Sequence, residues 1–357
     1  MTTNNVLWWG RSDNHYSRNS IIRQHFNNLG WEITDFSPSF SFSASLEARL
    51  KRIKHFDLVW VPCFRQRDLA SASKWSKKHH IPLIFDPLIS AYDKQVYERQ
   101  KFTPDSTQAK TLLQWEKSLF QQADLIIADT SAHAEYFNQQ LGIPRQKIRI
   151  IYVGADETVF SPIQPEKYRK PKENKVLDIL FYGSFIPLQG PQIIIGAAAA
   201  TQGKPVHWTL VGKGPLLDSC QQQANHLNLN NVNFTEWLDY QTALPERIDQ
   251  ADILLGIFGD TPKAGRVIPN KVFQSMAMGK PIITQSSKAY PEQVRQSKGI
   301  VWVNPGQPQA LADAALSLSQ KKEKLADLGA SNYQIYKACL SDNIISRQLE
   351  KAVQSII

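Results

Sequence analysis

Short apolar runs alternate with longer amphipathic stretches along the whole chain. Val6–Trp9, Asp57–Val61, Leu83–Phe85, Leu125–Ala128 and Ile148–Val153 lie in the first half; Ile179–Phe181, Trp208–Val211, Asn233–Thr235, Ile253–Ile257, Pro281–Thr284 and Ile300–Val303 lie in the second. These runs are near-continuous in apolar character, which predicts parallel strands buried on both faces. Between them Asn19–Leu29, Ser43–Lys54, Asp68–Lys78, Thr107–Gln122, Ala132–Leu141 and Pro191–Ala200 have helical spacing. Repeated β-then-α order implies a parallel sheet covered by helices. Because the pattern fills both halves, two doubly wound α/β domains are expected rather than one very wide sheet.

Residues 161–175, centred on the stretch EKYRKPKENK, are rich in Pro and charge and poor in apolar groups, and read as a linker. The domains expected are therefore 1–160 and 176–335, with a helical tail over 336–357 that must dock somewhere. The length, 357 residues, suits two such cores. No run approaches the ~18 apolar residues of a membrane span, and the opening MTTNN predicts no cleavable signal. Three widely spaced cysteines, Cys63, Cys220 and Cys339, form no CxxC pair. That argues against a disulfide framework or a structural zinc and favours a reducing cytoplasm. Forty-one Lys and Arg against 32 Asp and Glu leave +9, which favours anionic partners: phosphate ligands, nucleic acid or a lipid surface.

Open α/β sheets bind ligands beyond the carboxyl ends of their strands, so the loops after strands carry the candidate chemistry. Gly183, Ser184, Gln189 and Gly190 belong to the turn GSFIPLQG before a helix, and Gly212, Lys213 and Gly214 follow the next strand. Glycines there let backbone N–H groups approach an anion at a helix N-terminus. A third loop carries Lys263 and Arg266 up to Asn270, expected to cap a helix over Lys271–Met278. A cation in a first helical turn opposes the helix dipole unless an anion sits beside it, so this loop predicts a phosphate contact.

The order VGADETVF-SP, DILFYGSFIPLQG, WTLVGKGP, VNFTEWL, ADILLGIF and NKVFQSMAMGKPIIT, from Val153 to Thr284, resembles the retaining, family-4-like (group 1 type) glycosyltransferases of the GT-B fold, a likeness that covers most of residues 125–305. The resemblance implies two Rossmann-like domains facing across a cleft, and a last helix crossing back to the first domain. It implies a nucleotide-sugar donor held mainly by the C-terminal domain, an acceptor held mainly by the N-terminal one, and transfer with retention without metal or other cofactor. Two departures stand out. The Arg and Lys usual in the first donor loop are Ser184 and Gln189, and the usual glutamate pair falls on Arg266 and Gln274. On this reading Lys263, Arg266 and Lys271 take over the diphosphate clamp, and Gln274 meets a ribose hydroxyl. The turn Glu236, Trp237, Leu238 is placed at the nucleobase.

The first strand is followed by a long polar loop in which Gly10, Arg11, His15, Arg18 and Asn19 supply close approach and donors for an acceptor or phosphate. Asp86 stands where the family often has a histidine near the donor sugar, and is expected either to act in catalysis, orienting a sugar hydroxyl or taking the acceptor proton, or to serve as a structural cap; Asp129 to Ser131 also follow a strand end. No carboxylate pair at glycosidase spacing is proposed; the burden is stabilising charge on a departing phosphate. The expected function is transfer from a UDP- or GDP-sugar to a lipid-linked, polysaccharide or small-molecule acceptor. The enzyme is expected in the cytoplasm, and the basic surplus fits a peripheral place on an anionic inner membrane face. Competing readings are a non-catalytic GT-B relic binding nucleic acid or anionic membrane, and a nucleotide-sugar epimerase. No specific nucleic-acid signature is present.

Overall fold

The computed structural model describes residues 4–162 and 176–357. From residue 163 onward, the linker expected over 161–175 lies outside the described residues. The chain divides into two compact units, Met1–Gly154 with Asp342–Ile357, and Ala155–Ser341.

The first unit runs β1 (Asn5–Trp9), α1 (Ser17–Asn28), β2 (Glu32–Phe36), α2 (Ala44–Leu50), β3 (Leu58–Val61), α3 (Leu69–His79), β4 (Leu83–Phe85), α4 (Ala91–Asp93), α5 (Thr107–Phe120), β5 (Leu125–Ala128), α6 (Ser131–Gln139) and β6 (Ile148–Ile150). Its six strands are all parallel, in the order β2-β1-β3-β4-β5-β6. Strand order reverses between β1 and β3, which is the ligand crevice of such sheets. β2 is an addition to the strands expected from sequence: EITDF is an edge strand with mostly polar, exposed positions, so it lacks the apolar run of its neighbours. The helix expected over Ser43–Lys54 is shorter, Ala44–Leu50.

Alternation puts Leu7, Trp9, Val59, Val61 and Phe85 into one core layer, with Ala72 and Trp75 of α3 and Phe120 of α5. Val6, Trp8, Leu58, Trp60, Ile84 and Ile127 form the opposite layer with Ile21, Ile22 and Phe26 of α1. The same layer takes in Ile345, Leu349, Ala352 and Val353 of the last helix, labelled α14 (Asp342–Gln354) below. The resemblance's crossing helix is thus present. Spacing at i, i+4, i+7 and i+8 gives that helix one apolar stripe, and the stripe is what docks.

The second unit runs β7 (Leu177–Tyr182), α7 (Pro191–Ala200), β8 (Val206–Val211), α8 (Leu217–His226), β9 (Val232–Thr235), α9 (Ala243–Gln250), β10 (Ile253–Leu255), α10 (Asn270–Ala277), β11 (Ile282–Gln285), α11 (Glu292–Arg295), β12 (Ile300–Val303), α12 (Pro308–Ser319) and α13 (Leu325–Cys339), and hands over to α14. Its parallel order is β12-β11-β10-β7-β8-β9, with the reversal between β7 and β10. The loops after β7 and β10 therefore flank the binding crevice of this unit. One local expectation is corrected. Asn270 does not cap α10; Pro269 holds the cap position in extended geometry, and Asn270 is the first helical residue.

Candidate active site

In the second unit the chemistry gathers at that reversal. Lys271 is the second residue of α10, and its side chain turns back to the loop after β7, where Nζ lies 2.5 Å from Gln189 Oε1. The ammonium also sits 3.8 Å from the centre of the Phe181 ring, a cation–π placement. Gly183 makes this possible: with φ near +149°, a Cβ there would stand 2.9 Å from Lys271 Nζ. Gly212 does the same one strand over, since a side chain on it would run into the Gly183 carbonyl oxygen and the Trp237 ring. The two glycine turns are thus packed on each other, with Lys271 against one and Trp237 against the other. Gly190 precedes α7, whose first residue is Pro191, so the free N–H groups of that helix start in the same loop.

Lys271 is 4% exposed, and among the described residues no carboxylate pairs with it. Burial holds its ammonium well below the ordinary lysine range. The helix dipole acts in the same direction. A cation in such a setting is stabilised most by an anion with several acceptor oxygens. Gln274, one turn on, is also buried; Tyr182 Oη donates to its Oε1 (2.9 Å), and its Nε2 donates to Tyr240 Oη (3.3 Å). The amide expected to meet a ribose is therefore already bonded at both ends. Phe181, Tyr182 and Tyr240 join the site without having been singled out from sequence, although the pair Phe-Tyr directly before Gly183 is the local signal for the first two.

Lys263 is buried on the loop leading to α10 and Arg266 is half-buried, its N–H bonded to the Lys263 carbonyl (2.9 Å). Ser184, Lys213, Gly214 and Glu236 are exposed and Leu238 half-buried. Trp237 is 55% exposed at the carboxyl end of β9, with its ring edge over Gly212. A flat, open indole face there suits stacking.

In the first unit the loop after β1 is braced internally: Trp8 Nε1 donates to Ser12 Oγ (2.9 Å), the His15 N–H to Asp13 Oδ1 (2.9 Å), and Asn19 Nδ2 to the Asp13 carbonyl (2.8 Å). Gly10 is buried beside Asp68, while Arg11 and His15 are exposed. Arg18 is not a donor for an external anion. It is fully buried, Nε and Nη2 gripping both oxygens of Asp86 (2.7 and 3.3 Å) and Nη1 reaching the Ile151 and Tyr152 carbonyls (2.9 and 2.8 Å). Asp86 is 1% exposed; burial raises its pKa while the Arg18 charge lowers it. This buried ion pair ties the end of β4 to α1 and to the chain after β6.

Around it lie Tyr16 and Cys63, both with proton affinities pushed up chiefly by burial, and Asp129. Asp129 bonds His133 Nδ1, and His133 Nε2 has no hydrogen-bond partner among the described residues. His133, two residues beyond the Asp129 to Ser131 turn, was missed from sequence. The polar cluster occupies the carboxyl ends of β1, β3, β4 and β5. Phe64 (φ 63°) and Leu88 (φ 59°), just past β3 and β4, hold left-handed backbone conformations that cost energy for non-glycine residues. Among the described residues no three His, Cys, Asp or Glu side chains converge to hold a metal.

Comparisons with known proteins identify the family and the fold. Residues 6–159 match the model of Glycosyltransferase Family 4, and residues 177–321 that of Glycosyl transferases group 1. WcaL of Escherichia coli K12, assigned as a colanic acid biosynthesis glycosyltransferase, is 24% identical over 67% of this chain; the D-inositol 3-phosphate glycosyltransferase of Segniliparus rotundus is 25% identical over 70%. The aligned regions span 59% and 56% of those relatives' lengths. HepE of Anabaena, solved with UDP and glucose, superposes with a TM-score of 0.73 at 17% identity, covering 99% of this chain and all of that one. Sucrose-phosphate synthase of Thermosynechococcus elongatus gives 0.76 at 16% identity, with 99% of each chain covered. With two six-stranded parallel sheets ordered in this way and a family model matching each half, the chain belongs to the group 1, family 4-like glycosyltransferases of the GT-B fold.

Proposed function

We propose that this protein transfers a sugar from a nucleotide-sugar, UDP- or GDP-linked, to a hydroxyl acceptor, with retention and without a metal ion. The observation that carries the reading is Lys271: a buried cation at a helix start, facing a glycine turn, with no carboxylate beside it among the described residues. Breaking the anomeric C–O bond leaves negative charge on the β-phosphate. A preorganised donor in a dry site is worth ~3 kcal/mol toward such charge. Lys271 and the N–H groups at the start of α7 are the donors offered by the second unit, and Trp237 gives the base a face to stack on.

The resemblance implies a lysine of the first donor loop on the diphosphate, and Gln189 stands at that place here. Lys271 brings the charge to the same spot from the other side of the crevice. Lys263 and Arg266 lengthen the clamp on the approaching loop. The acceptor class spans lipid-linked, polysaccharide and small-molecule sugars, and the basic surplus favours one presented at an anionic membrane. Among the described residues no helix is long and apolar enough to cross one.

The test is a transfer assay over a panel of nucleotide-sugars, with the anomeric configuration of the product read by NMR. Wild type is expected to turn over a UDP- or GDP-sugar in the presence of EDTA with the donor's configuration kept. Lys271→Ala is expected to lose at least about a hundredfold in kcat. Unchanged turnover in that variant would remove the clamp.

A further inference from the structure

Four large apolar side chains stand in solvent on one stretch of the first unit: Phe40 (61% exposed), Phe42 (86%), Leu46 (57%) and Leu50 (75%). Phe42, Leu46 and Leu50 recur every four residues, so they form one stripe along the 3₁₀ turn Ser41–Ser43 and α2. Phe40 extends it, its ring 5.7 Å from that of Phe42. On the opposite side of α2, Ala44 and Ala48 are fully buried in the core, which fixes the stripe outward. A single exposed leucine is ordinary, whereas a contiguous stripe of this size marks an interaction surface.

The surroundings are basic. Arg49, Lys51, Arg52 and Lys54 follow within six residues, and all four are exposed. Glu47 is the one acid between residues 40 and 54, and it is engaged by Lys51 Nζ and by the Ser39 N–H (both 2.8 Å). Phe40 and Phe42 also border a depression of about 610 Å³ whose other walls include Arg11, Arg67 and Lys74. Apolar groups at the centre and cations around them form one surface.

We propose that this face docks on an anionic phospholipid bilayer, the stripe entering the acyl boundary and the cations meeting headgroup phosphates. Either signal alone gives marginal attachment; together they give a stable one. A second copy of the chain would set these cations against their equals, and a nucleic acid would leave the four apolar side chains in water. The proposal goes beyond the donor reading, since it needs no nucleotide.

The experiment is flotation of the full chain with vesicles of phosphatidylcholine alone and of phosphatidylcholine with phosphatidylglycerol, at low and physiological salt. Wild type is expected to float with the anionic vesicles, less so as salt rises. Phe42→Ser with Leu46→Ser and Leu50→Ser is expected to cut binding about tenfold or more. Arg52→Gln with Lys54→Gln should cut it roughly twenty-five-fold, at about fivefold per cation near such a surface. Far-UV circular dichroism and the melting temperature verify that the variants fold, and their thermal response to UDP is expected to match wild type. Failure of wild type to float with anionic vesicles overturns the proposal, as does equal flotation of folded variants. A concentration-dependent dimer that the triple variant abolishes would assign the stripe to a second copy and overturn it too. Loss of any nucleotide response with flotation intact would count against the donor reading alone.

Discussion

Burial, the dipole of α10 and the lack of a neighbouring carboxylate among the described residues all act against a charge on Lys271, whereas Gln189 and the Phe181 ring only partly offset them. Its folded pKa lies below the unfolded value, so the unfolded chain binds the proton more tightly. The free protein therefore gains stability as pH rises from the folded pKa toward the lysine range. Lys271→Met should remove that gain and raise the melting temperature at neutral pH, by about 2–4 °C per kcal/mol for a unit of this size, as differential scanning fluorimetry would show. The Arg18–Asp86 pair behaves in the opposite way. Asp86→Ala leaves a buried guanidinium uncompensated and should destabilise the fold by about 3–5 kcal/mol in chemical denaturation; a loss below about 1 kcal/mol would contradict its structural reading. Neither contact was legible along the chain, because their partners are 82 and 68 residues apart. Residue type marked Lys271 and Asp86 as chemistry, and only the fold says which of them is spent internally.

At the level of elements, the glycine turns after β7 and β8 act as one piece. Gly212 has a positive φ and abuts the Gly183 carbonyl, so Gly212→Ala combines backbone strain with a backbone clash. A loss of about 1–3 kcal/mol is expected from strain alone, with a weaker thermal response to UDP; an alanine variant matching wild type in both would separate the two turns. These turns were readable from sequence because a glycine directly after an apolar run marks where a buried strand gives way to a tight bend. The buried strands were readable from the runs themselves, β3 and β5 having every residue in the core. β2 was not, since an edge strand with exposed Glu32, Thr34 and Asp35 follows no apolar rule. The start of α10 was misplaced by one position because Asn270 is a good capping type, yet Pro269 already supplies the extended geometry that begins the helix.

For the molecule as a whole, the order of β and α segments determined both sheets, while the last helix needed the family resemblance to find its place. α14 completes the layer built on Trp8 and Trp60 of the first unit. Leu349→Ala should therefore cost about 2–5 kcal/mol, seen as a lower denaturant midpoint for the transition of that unit. On the proposed function Lys271 meets the donor's diphosphate. That contact is tested by titrating UDP and GDP calorimetrically into wild type and Lys271→Met, in two buffers of different ionisation enthalpy. A bound diphosphate raises the Lys271 pKa, so wild type should take up more protons than the variant on binding, with an affinity that falls as pH rises through that window. Equal affinity and equal proton uptake in the two proteins would contradict the claim.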